Sequence, residues 1–229
     1  MLLRYYPPNI NKGKKISFES QGKKLKALYT DNDQEKLVIF LPGVSGRSCA
    51  DVYDFMEDIA KKARYSLVRM DFSFQQYKDQ ESYTIKDCAK DVENLLQYLK
   101  KNDQHKLTHI AIVAKSFGAL VAHFINIDIE KLVLIGPDIT LKEESPEKIL
   151  SVSLASLNLK DLFINKENLE DCLTLIIHGD EDEVINVSNS KNVCDAKQNY
   201  YLRILHGAKH SFFRPKDIKI ISSEIESFL

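Results

Sequence analysis

Residues 109 to 122 read His-Ile-Ala-Ile-Val-Ala-Lys-Ser-Phe-Gly-Ala-Leu-Val-Ala, and no other stretch restricts the possible folds as much. A short apolar strand runs into a small-x-Ser-x-Gly corner and then directly into a helix-forming segment. A serine in that setting sits on a tight strand-to-helix turn, with its hydroxyl at the carboxyl end of a sheet and the amino end of a helix beside it. The turn demands very small residues two positions either side of the serine, because larger side chains would collide across it. Ala114 and Gly118 meet that demand, although the commoner pattern has glycine at both places. A serine that caps the following helix would give the same local pattern, so Ser116 needs support from elsewhere in the chain.

The remaining segments extend the alternation. Runs of four to eight apolar residues alternate with stretches of 3.6-residue periodicity, which predicts a mostly parallel sheet of about eight strands with helices on both faces. An antiparallel hairpin is expected near 16–20 and 25–30, split by Gln21-Gly22. Strands follow at 37–41, 66–72, 109–114, 131–135, 173–177 and 200–205. Helices are expected at 51–63, 117–125, 187–196 and 215–229, with another after Thr84 and Asp87, which form a helix-start signal before the apolar stripe from Ile85 to Leu99. The whole chain, 1–229, reads as one α/β domain. Residues 138–172 break the rhythm and read as a small cap insertion, with an amphipathic 149–162 carrying Leu150, Leu154, Leu157 and Leu159.

Two later segments end strands in chemically suggestive turns. Residues 173 to 185 close on His-Gly-Asp-Glu-Asp-Glu-Val-Ile, and residues 200 to 213 close on His-Gly-Ala-Lys-His-Ser-Phe-Phe. A serine hydroxyl is a poor nucleophile at neutral pH. It needs a base to take its proton, and the base needs a carboxylate to hold its tautomer. Six histidines are present. His210, on a loop past the last strand, suits the role of base, and His206 is its main rival. Four carboxylates, 180 to 183, compete for the role of acid, with Asp138 as an outside candidate.

With Ala-Lys-Ser-Phe-Gly at 114–118, His-Gly-Asp-Glu-Asp-Glu-Val at 178–184 and Gly-Ala-Lys-His at 207–210, in that order and each after a strand, the chain resembles the α/β-hydrolase superfamily. The resemblance implies Ser116 as nucleophile, Asp182 as acid and His210 as base. It also implies two oxyanion donors, the backbone N–H of Phe117 and that of Val44 in the loop Pro42-Gly43-Val44, where relatives often carry His-Gly. Ser45 lacks the glycine two positions on and is not a second elbow. His178 holds a place that is usually structural. Lys115 and Arg47 could bring positive charge to the mouth, although solvated or ion-paired side chains are the plainer account, and Cys49 reads as a packed thiol.

Composition narrows the function classes. Net charge is −1, from 32 basic and 33 acidic residues, which argues against a nucleic-acid partner. No apolar run approaches the ~18 residues of a membrane span, and the start lacks a signal-peptide pattern. The four cysteines are widely spaced without a zinc-binding pattern, and suit reduced thiols in a cytoplasmic protein. The resulting expectation is a serine hydrolase that needs no cofactor and no metal. It would cleave carboxylic esters or thioesters of small to medium acyl groups through an acyl-enzyme. A serine aminopeptidase-like enzyme and a non-catalytic binding protein on the same scaffold are the alternatives, and the sequence leaves the substrate and the oligomeric state open.

Overall fold

A computed structural model of the chain describes residues 13–33, 35–46, 48–49, 51–102, 106–141, 153–154, 163–164, 166–212 and 214–229. Strands β1 (Lys14–Ser20) and β2 (Lys23–Thr30) form an antiparallel hairpin. Its two-residue turn, Gln21 at φ 49° and Gly22 at φ 74°, has the double positive φ that matches the twist of paired strands. Then come β3 (Lys36–Leu41), α1 (Phe55–Ala63), β4 (Ser66–Met70), α2 (Ser73–Tyr77), α3 (Ile85–Asn102), β5 (His109–Lys115), α4 (Phe117–Ala122) and β6 (Lys131–Ile135). Two-residue strands β7 (Thr140–Leu141) and β8 (Phe163–Ile164) pair with each other. The chain continues with β9 (Leu173–Gly179), α5 (Val187–Ala196), β10 (Tyr200–Leu205) and α6 (Pro215–Phe228).

The main sheet has eight strands in the order β1-β2-β4-β3-β5-β6-β9-β10, and every neighbouring pair from β4 to β10 is parallel. Strand alternation distributes the core. Leu37, Ile39 and Leu41 of β3 point into one apolar cluster with α3 and α4, while Val38 and Phe40 point into the other with α1 and α6. Both faces are therefore covered, which is why the central strands read as unbroken apolar runs. The chain moves from β3 outward to β4 and then back past β3 to β5. A crevice opens beyond the strand ends at such a reversal, and ligands of open α/β sheets bind there.

Three local details differ from the sequence expectation. The predicted helix at 51–63 begins as a separate short turn, Asp51–Tyr53, and the α-helix starts only at Phe55. The cause lies on β4. The guanidinium of Arg69 is fully buried and pairs with Asp54 at 3.0 Å and Glu57 at 3.1 Å, so the chain at 54 is set by a buried cation that must be neutralised. Strand β4 stops at Met70 where it was expected to run on to Phe72, and an unexpected short helix, α2, follows. The helix after Ser116 ends at Ala122 rather than Ile125.

Thr84 and Asp87 form the expected reciprocal cap of α3. The Asp87 carboxylate accepts from the Thr84 N–H at 2.9 Å, and the Thr84 hydroxyl accepts from the Asp87 N–H at 3.2 Å. Of residues 138–172, expected to form a cap insertion, 142–152, 155–162 and 165 lie outside the described residues, and with them Leu150, Leu157 and Leu159. Among its described residues, Leu154 packs half-buried against the core. Ser153 donates its hydroxyl to the Glu81 carbonyl at 2.8 Å, and the Leu154 N–H reaches the Tyr83 carbonyl at 2.8 Å.

Candidate active site

The parallel register brings the carboxyl ends of β3, β5, β6 and β9 to one edge, with Leu41 opposite Ala114 and Lys115 opposite Ile135. Ser116 follows β5 there with φ 50° and ψ −120°, a backbone region that non-glycine residues rarely occupy. Its N–H donates to the Ile135 carbonyl at 2.9 Å, and its own carbonyl accepts from the Ala119 N–H at 2.9 Å. The requirement for small flanking residues has a direct cause. A Cβ on Gly118 would lie 2.5 Å from the Pro42 carbonyl oxygen and 2.9 Å from that of Leu41. Ala114 lies within β5 with its methyl buried in the core, so its departure from glycine is accommodated.

His210 places Nε2 3.0 Å from the Ser116 hydroxyl oxygen and Nδ1 2.8 Å from Oδ2 of Asp182. A carboxylate oxygen only accepts, so Nδ1 carries the proton and Nε2 is left to accept from Ser116. Asp182 stands in the turn after β9 with its side chain fully covered. Its Oδ1 accepts from the Val184 and Ile185 N–H groups at 2.9 and 2.8 Å, and its Oδ2 also receives His178 Nε2 at 3.2 Å. Burial opposes its ionisation. The hydrogen bonds from His178, His210 and the Ile185 N–H outweigh burial and hold the carboxyl below the usual carboxylate range.

The rival histidine and the rival acid meet each other instead. His206 is exposed and its Nδ1 lies 2.8 Å from Oδ2 of Asp180, whose other oxygen accepts from the Gly207 N–H at 2.6 Å. Together they brace the His210 loop from its rim. The loop's inner side is held by close backbone packing, since a Cβ on Gly179 would lie 2.1 Å from the Ala208 carbonyl oxygen. Lys115 is buried rather than displayed at the mouth, and its ammonium donates to the His210 carbonyl at 3.2 Å. Burial pulls its pKa down to about 8, with the Asp182 charge acting the other way. Arg47 lies outside the described residues. Cys49 is a half-buried thiol against the Arg69 carbonyl, with its pKa pushed up chiefly by burial.

Asp138 ends the turn after β6, and its N–H approaches the Ser116 carbonyl at 3.5 Å. Its carboxyl is buried, one oxygen lacks a hydrogen-bond partner, and burial together with the Asp182 charge pushes its pKa up to about 7. His210 therefore pairs with Asp182, and Asp138 sits beside the serine without reaching the imidazole. Among the described residues, no cluster of His, Cys, Asp or Glu is arranged to hold a metal ion.

Val44 lies in a turn closed by the Gly46 N–H donating to the Gly43 carbonyl at 2.9 Å, directly beside the serine. A Cβ on Gly43 would stand 3.4 Å from Cβ of Ser116. Phe117 opens α4, where the first N–H groups of a helix have no partner within it. Next to Val44 a cavity of about 800 Å³ is lined by Ser45, Phe74, Gln75 and the charged residues Asp71, Lys78 and Asp79, among others. The sequence reading missed three members of this neighbourhood. The carboxylate contact of His178 spans only four positions but depends on how the turn after β9 folds, and Lys115 is buried against the His210 carbonyl 95 positions away. Gln75 sits on a helix too short to show periodicity.

An eight-stranded, mostly parallel sheet with helices on both faces and a serine at the β5 corner is the α/β-hydrolase fold. The chain belongs to the serine hydrolase (FSH1) family, whose model matches residues 14–220. Among solved structures it is similar in fold to an esterase of Pyrococcus furiosus, Pf2001, with TM-score 0.74 at 20% identity over 94% of this chain and 89% of that one. Est1E from Butyrivibrio proteoclasticus gives TM-score 0.69 at 17% identity, over 93% and 96% of the two chains. Mouse alpha/beta hydrolase domain-containing protein 10 gives 0.70 at 15%, over 94% and 98%. A search of curated protein sequences finds no match. No described helix is long and apolar enough to cross a membrane.

Proposed function

We propose that this protein cleaves carboxylic esters or thioesters of small to medium acyl groups through an acyl-enzyme on Ser116. The observation that carries the reading is the continuous relay from Ser116 Oγ to His210 Nε2 at 3.0 Å and from His210 Nδ1 to Asp182 at 2.8 Å, on a backbone corner held at positive φ. As Ser116 attacks the acyl carbon, its proton passes to His210 Nε2, and the Asp182 carboxylate stabilises the imidazolium. The N–H groups of Val44 and Phe117 receive the oxyanion, and the imidazolium then protonates the departing alkoxide or thiolate. Water repeats the sequence with His210 again as base and releases the acid. The mutual contact of Asp180 and His206 supports giving these roles to Asp182 and His210 instead.

The test is a fluorophosphonate probe on the intact protein. Labelling that is lost in Ser116→Ala supports the reading, and labelling that persists in that variant sinks it. A p-nitrophenyl acyl series beside coenzyme A thioesters and aminoacyl anilides then separates ester, thioester and peptide cleavage. A feruloyl ester belongs in the panel, because Est1E has been solved with ferulic acid bound. We place the protein in the cytoplasm, where its four free cysteines suit a reducing environment; recovery in another cell fraction would refute that.

A further inference from the structure

We infer that Gln75 is a positioning residue of the oxyanion cradle, whose side-chain amide sets the direction of the Val44 N–H. The inference rests on the serine-hydrolase reading above and adds a residue outside all three motifs. Gln75 lies on α2, and Nε2 of its side chain donates to the Gly43 carbonyl at 2.8 Å and to the Val44 carbonyl at 3.1 Å. Its Oε1 accepts from the Phe72 N–H at 2.9 Å. This orientation of the amide satisfies one donor and two acceptors at once, whereas the flipped form would oppose all three.

Peptide geometry carries the consequence. In a planar trans peptide the C=O of one residue and the N–H of the next point in opposite directions. Holding the Gly43 oxygen toward Gln75 therefore turns the Val44 N–H away from Gln75. Gly43 itself borders Ser116, where a Cβ on it would stand 3.9 Å from the serine hydroxyl oxygen. The loop also wraps the amide from its far end. Gly46 has φ 70°, and a Cβ there would come within 3.1 Å of Gln75 Cδ.

The anchor beneath Gln75 is firm. Asp91 of α3 is buried and accepts from the Ser73 N–H at 2.7 Å and the Ser73 hydroxyl at 2.8 Å. Gln76 ties the same helix to the Asp71 carbonyl at 2.7 Å. Without the Gln75 donor, the Gly43 carbonyl keeps only the Gly46 N–H at 2.9 Å, and the Gly43–Val44 peptide loses the hold from the α2 side. A rotated plane would present a carbonyl oxygen to the developing negative charge in place of an N–H. The loss would fall on the transition state rather than on ground-state binding.

Gln75→Met and Gln75→Glu test this. The first removes the donor at similar length, and the second sets an acceptor against two carbonyls. The expected result is a fall in kcat on p-nitrophenyl butyrate of about 100-fold, the loss typical for one oxyanion donor, with KM changed less than about threefold. Inhibition by an aryl trifluoromethyl ketone, whose adduct on the serine carries an oxyanion, should weaken by the same factor. Melting temperature should stay close to the parent's, and Ser116 should still label, more slowly. Unchanged kcat and ketone affinity in both variants overturn the inference, and so does a rise in KM with kcat intact. Should neither variant fold, the parent protein decides: the Val44 amide proton should move downfield when the ketone adduct forms, and an unmoved signal overturns the assignment. Parent protein that shows no Ser116-dependent labelling sinks the serine reading and this inference together. Labelled parent with unaffected variants sinks this inference alone.

Discussion

His178 and His210 address the same oxygen of one carboxylate, Oδ2 of Asp182, at 3.2 and 2.8 Å. His178 is fully buried; its Nε2 also lies 3.0 Å from the Ile185 carbonyl and its Nδ1 lies 2.6 Å from the Ser190 hydroxyl. The carbonyl and the carboxylate can only accept, so Nε2 bears the proton and Ser190 donates to Nδ1. This imidazole clamps the turn that bears Asp182 to α5. His178→Phe should therefore leave the Ser190 hydroxyl and the Ile185 carbonyl unmet, with a stability loss of about 3 kcal/mol, read by urea denaturation. Turnover should fall with it, because Asp182 loses one of the contacts that orient it. Unchanged stability would remove His178 from the clamp.

Asp182→Asn keeps the shape of the side chain and changes which imidazole tautomer it favours. In a comparable serine triad that change lowers turnover by about 10⁴-fold. A loss of similar order is expected here, measured by pre-steady-state acylation of p-nitrophenyl butyrate. Activity within tenfold of the parent would move the acid elsewhere, with Asp138 the next carboxylate to test.

Asp138→Asn carries a prediction about pH and stability. The folded-state pKa of Asp138 is raised to about 7, chiefly by burial and then by the Asp182 charge, from the usual carboxylate value near 4 in the unfolded chain. Between those values the folded protein binds more protons than the unfolded chain, so this group makes stability fall as pH rises from about 4 to about 7. The accumulated loss has an upper bound of about 4 kcal/mol, at ~1.4 kcal/mol per pH unit between the two pKa values. The Asn variant should lose that slope and melt higher than the parent at pH 8. Parallel melting curves against pH would refute the buried-acid account.

Gly118→Ala and Ala114→Gly probe the two small positions flanking Ser116, with opposite expectations. The first places a methyl 2.5 Å from the Pro42 carbonyl oxygen, a backbone atom that cannot step aside without moving the Val44 loop. Esterase activity should fall below a hundredth of the parent's. The second removes a buried methyl from β5 and should cost about 1 kcal/mol while activity is kept. An active Gly118→Ala protein would show that the loop tolerates displacement.

Most of the site was legible because its parts sit at strand ends. Ser116 and Asp182 follow buried strands, His210 follows the half-exposed edge strand β10, and parallel order then delivers those ends to one edge. The choice between paired alternatives was less legible. Asp180 and His206 lie within two and four residues of Asp182 and His210, so local pattern barely separates them; their mutual contact spans 26 positions. The break before α1 answers to Arg69, which the sequence marks only as a charge inside an apolar strand. Gln75 was invisible for a related reason. A five-residue helix shows no period, and the contact to Gly43 reaches across 32 positions.

Ser116 keeps its backbone at φ 50° only because Ile135, Ala119 and the packed carbonyls around Gly118 oblige it to. The nucleophilicity proposed for this hydroxyl would thus be a collective property, absent from any fragment or unfolded chain that contains the same five-residue motif. Covalent labelling at this serine, as proposed above, would count correctly assembled molecules in a mixed population. In a denaturant titration or a cell lysate, the label would serve as a native-state assay, one expected to lose signal before the sheet itself dissolves.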